Sequence, residues 1–141
     1  MKTYLHFSEA TNLAIHALAY LHGLKALGPI SVGQIASALQ VSESHLSKVM
    51  QRLVHEGVIR STRGARGGFV FARDPEKIVV AESVVVVDGP QARSRCLLGK
   101  PICKSSHCRL QALMRRVSSM VEDELGQLKL SEVLEKTSIP R

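Results

Sequence analysis

Apolar positions along the first half of the chain recur with the rhythm of helices. Over residues 8–24, Leu13, Ala14, Ala17, Leu18 and Leu21 follow helical spacing, with Ser8 placed to cap the start and Gly23 to stop the end. Leu27-Gly28-Pro29 then breaks the chain. Ser31 is placed to cap a second helix over 32–39, with Gln34 at its third position as in a capping box, and Ile35, Ala36 and Leu39 as its inner face. After a short polar turn around Val41, Ser42 can cap a third helix over 43–56 that Gly57 ends. Leu46, Val49, Met50, Leu53 and Val54 form its apolar side, while Ser44, His45, Ser47, Lys48, Gln51 and Arg52 form the other. Two short helices on a tight turn, the second polar on its outer side, make a helix-turn-helix pattern.

The next run alternates differently. Val58-Ile59-Arg60-Ser61-Thr62-Arg63 and Phe69-Val70-Phe71-Ala72 flank the glycine-rich Gly64-Ala65-Arg66-Gly67-Gly68, which predicts a β-hairpin. A hairpin placed directly after a recognition helix makes a winged helix, and Arg60, Arg63, Arg66 and Arg73 decorate it. Asp74-Pro75 closes the wing. Residues 77–87 are rich in valine, which favours a strand by propensity. No partner strand follows, and Asp88-Gly89-Pro90 ends the segment as a helix stop would, so a helix is expected. Residues 91–107 read as a loop. A long helix over 108–128 follows, with Leu110, Met114, Val117, Val121, Leu125 and Leu128 stepping by three or four. Such a stripe must be covered, either by a helix of a second copy or by the chain itself. A short final turn is expected over 131–136.

Charge sharpens this picture. The 141 residues carry 19 Lys and Arg against 12 Asp and Glu, a net charge of +7, which points to nucleic acid or another anionic surface. With no Trp, two Tyr and three Phe, the chain is poorly supplied for a single-strand binder built on stacked aromatics. No apolar run approaches the roughly 18 residues needed to cross a bilayer, and residues 1–8 lack a signal-peptide core, so a cytoplasmic protein without a membrane role is expected.

Three cysteines, Cys96, Cys103 and Cys108, fall within thirteen residues and the rest of the chain has none. An odd, clustered set suits metal, cluster or redox chemistry better than a disulfide framework. Thiolates bind iron–sulfur clusters or zinc. Arg93, Arg95, Lys100, Lys104 and Arg109 surround them, and cationic neighbours make cysteines readily metallated and oxidised. A zinc site would use Cys96, Cys103, Cys108 and His107, but His107 adjoins Cys108 and the usual close cysteine pair is missing. Metal-free thiol sensing stays open. Elsewhere Glu9, Asn12 and His16 share one face of the first helix. That stripe either faces solvent or donates a fourth ligand to a partner chain's cysteines, with His16 the best donor, His6 and His107 next, and Glu9 and Asn12 further candidates. His22, His45 and His55 read as surface or DNA-facing groups.

In order along the chain come the helix-turn-helix, Leu53-Val54-His55-Glu56-Gly57-Val58-Ile59, the wing Arg63-Gly64-Ala65-Arg66-Gly67-Gly68-Phe69, Asp74-Pro75, Ile78-Val79-Val80-Ala81-Glu82, Asp88-Gly89-Pro90, the cysteine triplet and Leu128-Lys129-Leu130-Ser131. Over nearly its whole length the chain thereby resembles the Rrf-type-two family of bacterial winged-helix regulators, the group of IscR, NsrR, RirA and CymR. The resemblance implies a homodimeric repressor, helical over 77–87. It also implies that Cys96, Cys103 and Cys108 hold an iron–sulfur cluster, four-iron or two-iron, whose state alters DNA binding. The cysteine spacing departs from the family's usual one, with six and four intervening residues rather than five and five. Gln111 stands where IscR-like members carry a histidine, and Asn12 where NsrR-like members carry an acidic residue.

The expected architecture is mainly α with a β-hairpin wing and a long C-terminal dimerisation helix. Its parts are a DNA-binding unit over 1–75, a connecting helix over 76–90, a sensor loop over 91–107, and a dimerisation helix and tail over 108–141. The function expected is a dimeric, non-enzymatic regulator of double-stranded DNA at a near-palindromic operator. Ser44, His45, Ser47, Lys48 and Gln51 would read bases, Arg60, Arg63 and Arg66 would meet the backbone, and Cys96, Cys103, Cys108 and His16 would hold the cluster. The alternatives are a cluster-free thiol regulator acting with a protein partner and a small electron carrier. A carrier has no use for a basic wing and commonly has four cysteines in a tight run. A cysteine enzyme needs a base and oxyanion donors, and no such arrangement is legible.

Overall fold

Helix α1 (Glu9–Gly23) is buried on most of its circumference: Leu13, Ala14, Ile15, Ala17, Leu18, Ala19 and Leu21 all lie in the interior. In the computed structural model, which describes residues 6–24, 28–90 and 107–133, four other helices pack on it. The small side chains of Ala14, Ala17 and Ala19 let those helices approach closely. Ser8 caps α1, its Oγ accepting the Thr11 N–H at 3.0 Å. Gly23 is the last helical residue rather than the stop, which falls on Leu24.

Helix α2 (Val32–Leu39) opens with the expected capping box. Ser31 Oγ accepts the Gln34 N–H at 3.2 Å, and Gln34 Oε1 accepts the Ser31 N–H at 2.9 Å. Gln40, at φ +55°, turns the chain into α3 (Glu43–His55), which Ser42 caps. Leu46, Val49, Met50 and Leu53 bury the inner face of α3.

Strands β1 (Ile59–Thr62) and β2 (Gly68–Phe71) pair antiparallel in the register Ile59↔Phe71 to Thr62↔Gly68. A third segment pins the hairpin to the body: the Ile30 N–H donates to the Phe69 carbonyl at 3.1 Å, and the Phe69 N–H to the Ile30 carbonyl at 2.8 Å. Gly68 is required by this contact, because a Cβ there would sit 2.4 Å from the Ile30 carbonyl carbon and oxygen.

Residues Pro75–Lys77 form one turn of 3-10 helix and Ile78 is extended, so α4 (Val80–Asp88) starts three residues later than expected. Its valines are helical because burial follows the helical period, at Val80, Ser83, Val84 and Val87. The Val79 N–H at its start donates to Glu82 Oε1 at 3.2 Å, and Gly89, at φ +78°, ends it. Helix α5 (Arg109–Gln127) packs on α4 and leads back to it, as the Val80 N–H donates to the Leu128 carbonyl at 2.9 Å and the Leu130 N–H to the Ile78 carbonyl at 2.8 Å. The final turn, α6 (Leu130–Val133), begins one residue early and inserts Leu130 into the core; residues 134–136 of the expected turn lie outside the described residues. The 91–107 loop likewise lies outside them up to residue 106.

The α5 stripe divides in two. Met114, Val121 and Leu125 are half-buried, whereas Leu110, Leu113, Val117 and Met120 are exposed, at 57, 51, 37 and 66%. Leu113 and Met120 were not in the expected stripe, and they complete a row spaced three, four and three.

Gly68→Ala is expected to force the wing off Ile30 and to lower stability by about 1–3 kcal/mol. Urea unfolding checks this, and a change within about 0.5 kcal/mol contradicts the close contact.

Candidate nucleic-acid interface and cysteine site

The outer side of α3 presents a row of exposed residues, Ser44, Lys48 and Gln51, spaced four and three apart. Ser47 lies half-buried on one flank. The other flank makes surface contacts with neighbouring helices, and Arg52 there is itself exposed. His45 is half-buried with Nδ1 3.6 Å from Glu9 Oε1 on α1, and Arg52 Nη1 donates to the Val87 carbonyl at 3.1 Å. Two of the six polar residues of this helix therefore touch α1 and α4. Periodicity alone had placed all six on one outer side.

Strand β1 packs against α3, so the wing is joined directly to that helix. Arg60, Arg63 and Arg66 are all exposed. The tip is closed by the Gly67 N–H donating to the Gly64 carbonyl at 2.9 Å, so Arg63 and Arg66 flank a tight backbone turn. Arg73 forms an ion pair with Glu82 at the start of α4, so its charge is partly neutralised at the base of the wing.

Of the three cysteines, Cys108 lies among the described residues, and Cys96 and Cys103 lie outside them. Cys108 is half-buried and is the N-cap of α5, its Sγ accepting the Gln111 N–H at 3.5 Å. Glu9, Asn12 and His16 are exposed along an otherwise mostly buried helix, so the sequence-predicted polar stripe is one face. His16 Nδ1 lies 2.7 Å from the Asn12 carbonyl. A carbonyl only accepts, so Nδ1 carries the proton and Nε2 of the neutral ring keeps its lone pair. Metal-ligating histidines are commonly held this way. His6 is exposed. Among the described residues no three His, Cys, Asp or Glu side chains stand together as a metal site.

Two polar junctions were not legible in the sequence. Asp88, the last residue of α4, accepts the Ser8 hydroxyl at 2.6 Å and the Thr11 hydroxyl at 2.7 Å. Burial pushes the Asp88 carboxyl up, but hydrogen bonds from Ser8 and Thr11, aided by the Arg52 charge, outweigh it and hold it below the usual aspartate range. At the other end of α1, His22 Nε2 lies 2.6 Å from Glu76 Oε1, so His22 joins the 3-10 turn. The His22 hydrogen bond, against a smaller desolvation effect, holds the Glu76 carboxyl below its usual value. His55 stays exposed, 3.0 Å from Glu56. The partners are about 80 and 54 residues apart, beyond any local motif.

A helix-turn-helix with a pinned, arginine-bearing wing defines a winged-helix transcriptional regulator. The chain belongs to the Rrf2 family, whose model, described as an iron-dependent transcriptional regulator, matches residues 7–136. It is 32% identical over 113 residues to the HTH-type transcriptional regulator IscR of Xenorhabdus nematophila, covering 79% of this chain and 68% of that one. Its fold is similar to CymR of B. subtilis, the global cysteine regulator, with a TM-score of 0.79 at 23% identity over 94% of this chain and 98% of that one. It is also similar to T. potens IscR, with a TM-score of 0.75 at 24% identity over 94% and 88% of the two chains. Among the described residues no helix is long and apolar enough to cross a membrane.

Because the folded-state Asp88 carboxyl titrates below its unfolded value, its contribution is complete above the ordinary aspartate range near ~4 and is lost as pH falls through the lower folded value. The stability difference between the native chain and Asp88→Asn should be flat from about pH 7 to 5 and shrink below about pH 4. Denaturant unfolding across that range checks it, and a difference that grows on acidification contradicts the assignment.

Proposed function

We propose that the protein is a dimeric repressor of double-stranded DNA whose affinity is set by an iron–sulfur cluster on Cys96, Cys103 and Cys108. The observation that carries the DNA reading is the outward row of α3 beside the arginine-bearing wing. Ser44, Lys48 and Gln51, with Ser47 and His45 at the flanks, read base edges in the major groove. Arg60, Arg63 and Arg66 meet phosphate or a narrow minor groove. Residues 1–75 form the DNA-binding part, 76–90 the connection, 91–107 the sensor and 108–141 the dimerisation part.

The dimer is supported by the exposed row Leu110, Leu113, Val117 and Met120, whose heptad-like spacing suits a helix of a second copy. Arg109 begins α5, and Asp123 and Glu124 lie in its last turns. An antiparallel pair sets the basic start of one helix beside the acidic end of the other. Two recognition helices then address half-sites about one helical turn apart, roughly 10 bp.

Support for the cluster comes from Cys108 as the N-cap of α5 and from the family's iron-dependent description. His16 of the partner subunit, with Nε2 left open by the bond from Nδ1 to Asn12, is the proposed fourth ligand. Such a cluster supplies a redox-active, oxidant-labile centre.

Three outcomes are expected. Operator affinity should fall steeply with salt, as contact with about 6–10 phosphates implies, and a nearly flat salt series contradicts the DNA reading. In binding selections Gln51→Ala should change preference at one base pair by about 1–3 kcal/mol, while Arg66→Ala weakens all sequences alike; the reverse pattern exchanges the roles of helix and wing. Anaerobically prepared protein should absorb visible light, and each Cys→Ala change should remove that absorption. A colourless native protein whose DNA binding responds to thiol oxidation instead supports a cluster-free thiol regulator.

A further inference from the structure

One flank of the recognition helix makes contacts with its neighbours at two points about two turns apart. Near its start, His45 lies 3.6 Å from Glu9 in the first turn of α1. Near its end, Arg52 donates to the Val87 carbonyl at 3.1 Å, at the end of α4. These two holding elements are themselves tied together. The next residue, Asp88, accepts hydroxyl hydrogen bonds from Ser8 and Thr11 at 2.6 and 2.7 Å. The Ser8 hydroxyl accepts in turn from the Thr11 N–H at 3.0 Å, which makes a small closed network. Thr11 is fully buried, so its hydroxyl would lose a buried partner if Asp88 left.

One polar cluster therefore joins the start of α1, the end of α4 and Arg52 on α3. Cys96 follows Asp88 by only eight residues in the sequence. A displacement of the chain leaving α4 reaches Asp88 and Val87 through only Gly89 and Pro90 among the described residues. It cannot move those two without breaking or dragging the contacts to Ser8, Thr11 and Arg52. Packed cores pass such shifts on as discrete rearrangements rather than by smooth deformation.

We propose that the Asp88 junction, with Arg52, is the link through which the cysteine-bearing segment sets the pose of the recognition helix. The inference rests on the cysteine-dependent control described under the proposed function, and it adds the residues that transmit it. Arg52 is then a positioning residue rather than a phosphate contact, and Asp88 is the point where the two parts of the chain are joined.

The test uses the full chain with an operator selected from random DNA. Asp88→Asn and Arg52→Gln are compared with the native protein in two states: reduced and metal-free, and reconstituted anaerobically with iron and sulfide. Operator affinity is measured over a salt series in each. The native protein should differ between states by about tenfold or more, within the usual range of coupling between sites. Both variants should keep the visible absorption while that ratio falls to within about twofold. The salt slope of Arg52→Gln should match the native one, because no phosphate contact is removed. Thermal unfolding accompanies each variant, and if Asp88→Asn melts much lower, Thr11→Val removes one hydroxyl of the network with little change of shape and repeats the test.

A merely structural role would lower the melting temperature and weaken both states equally; an unchanged ratio in the variants overturns the inference alone. A salt slope smaller by about one in Arg52→Gln also overturns it, by making Arg52 a phosphate contact. A native protein with equal affinity in both states fails the cysteine-control reading, and this inference with it.

Discussion

Everything else in the fold is arranged around the burial of α1. Its alanines let α2, α3, α4 and α6 approach, and Leu18, Ile35, Leu46, Met50, Leu53 and Leu130 meet in one fully buried core. Truncating any of the larger ones to alanine costs about 2–5 kcal/mol in typical cores, enough to threaten a small domain. The same burial decides what α1 has left to offer. Only a narrow strip bearing Glu9, Asn12 and His16 remains exposed over its length before Gly23, and Glu9 at its first turn already touches the recognition helix. A helix with so little free surface moves as a rigid unit. Whatever displaces its first turn also displaces the contacts that hold α3.

Much of this was readable from the sequence because it is local. Capping boxes, the turn between α2 and α3 and the glycine-rich hairpin are determined by residues a few positions apart. Ser31 with Gln34, and Ser42 before α3, appear where the pattern placed them. The valines of α4 show where propensity misleads: burial at Val80, Ser83, Val84 and Val87 follows a helical period, and that outweighs the strand preference of valine. The start of α4 was misplaced because Asp74-Pro75 opens a separate 3-10 turn before the helix. What could not be read was long-range. No spacing joins Asp88 to Ser8 and Thr11, Phe69 to Ile30, or His22 to Glu76. The site was legible to a similar degree. Periodicity found the polar side of α3, but only packing separates Ser44, Lys48 and Gln51, which face out, from His45 and Arg52, which face α1 and α4.

The division of that side gives the regulator a physical logic. One row of α3 faces out, while the adjacent flank contacts α1 and α4. The wing is positioned separately, by the Ile30–Phe69 contact and the absence of a Cβ at Gly68. The wing thus has a support besides its packing on α3. On α5 the row of Leu110, Leu113, Val117 and Met120 stays exposed.

DNA is proposed to be met by the outward row of α3 together with the wing. Amide hydrogen exchange of the full chain, free and bound to a selected operator, tests it most directly. Protection on binding should concentrate in the first half of α3 and in the wing around Arg63 to Gly68, with little change along α5. Protection that falls instead on α5 or on the exposed stripe of α1, and spares the wing, would contradict it.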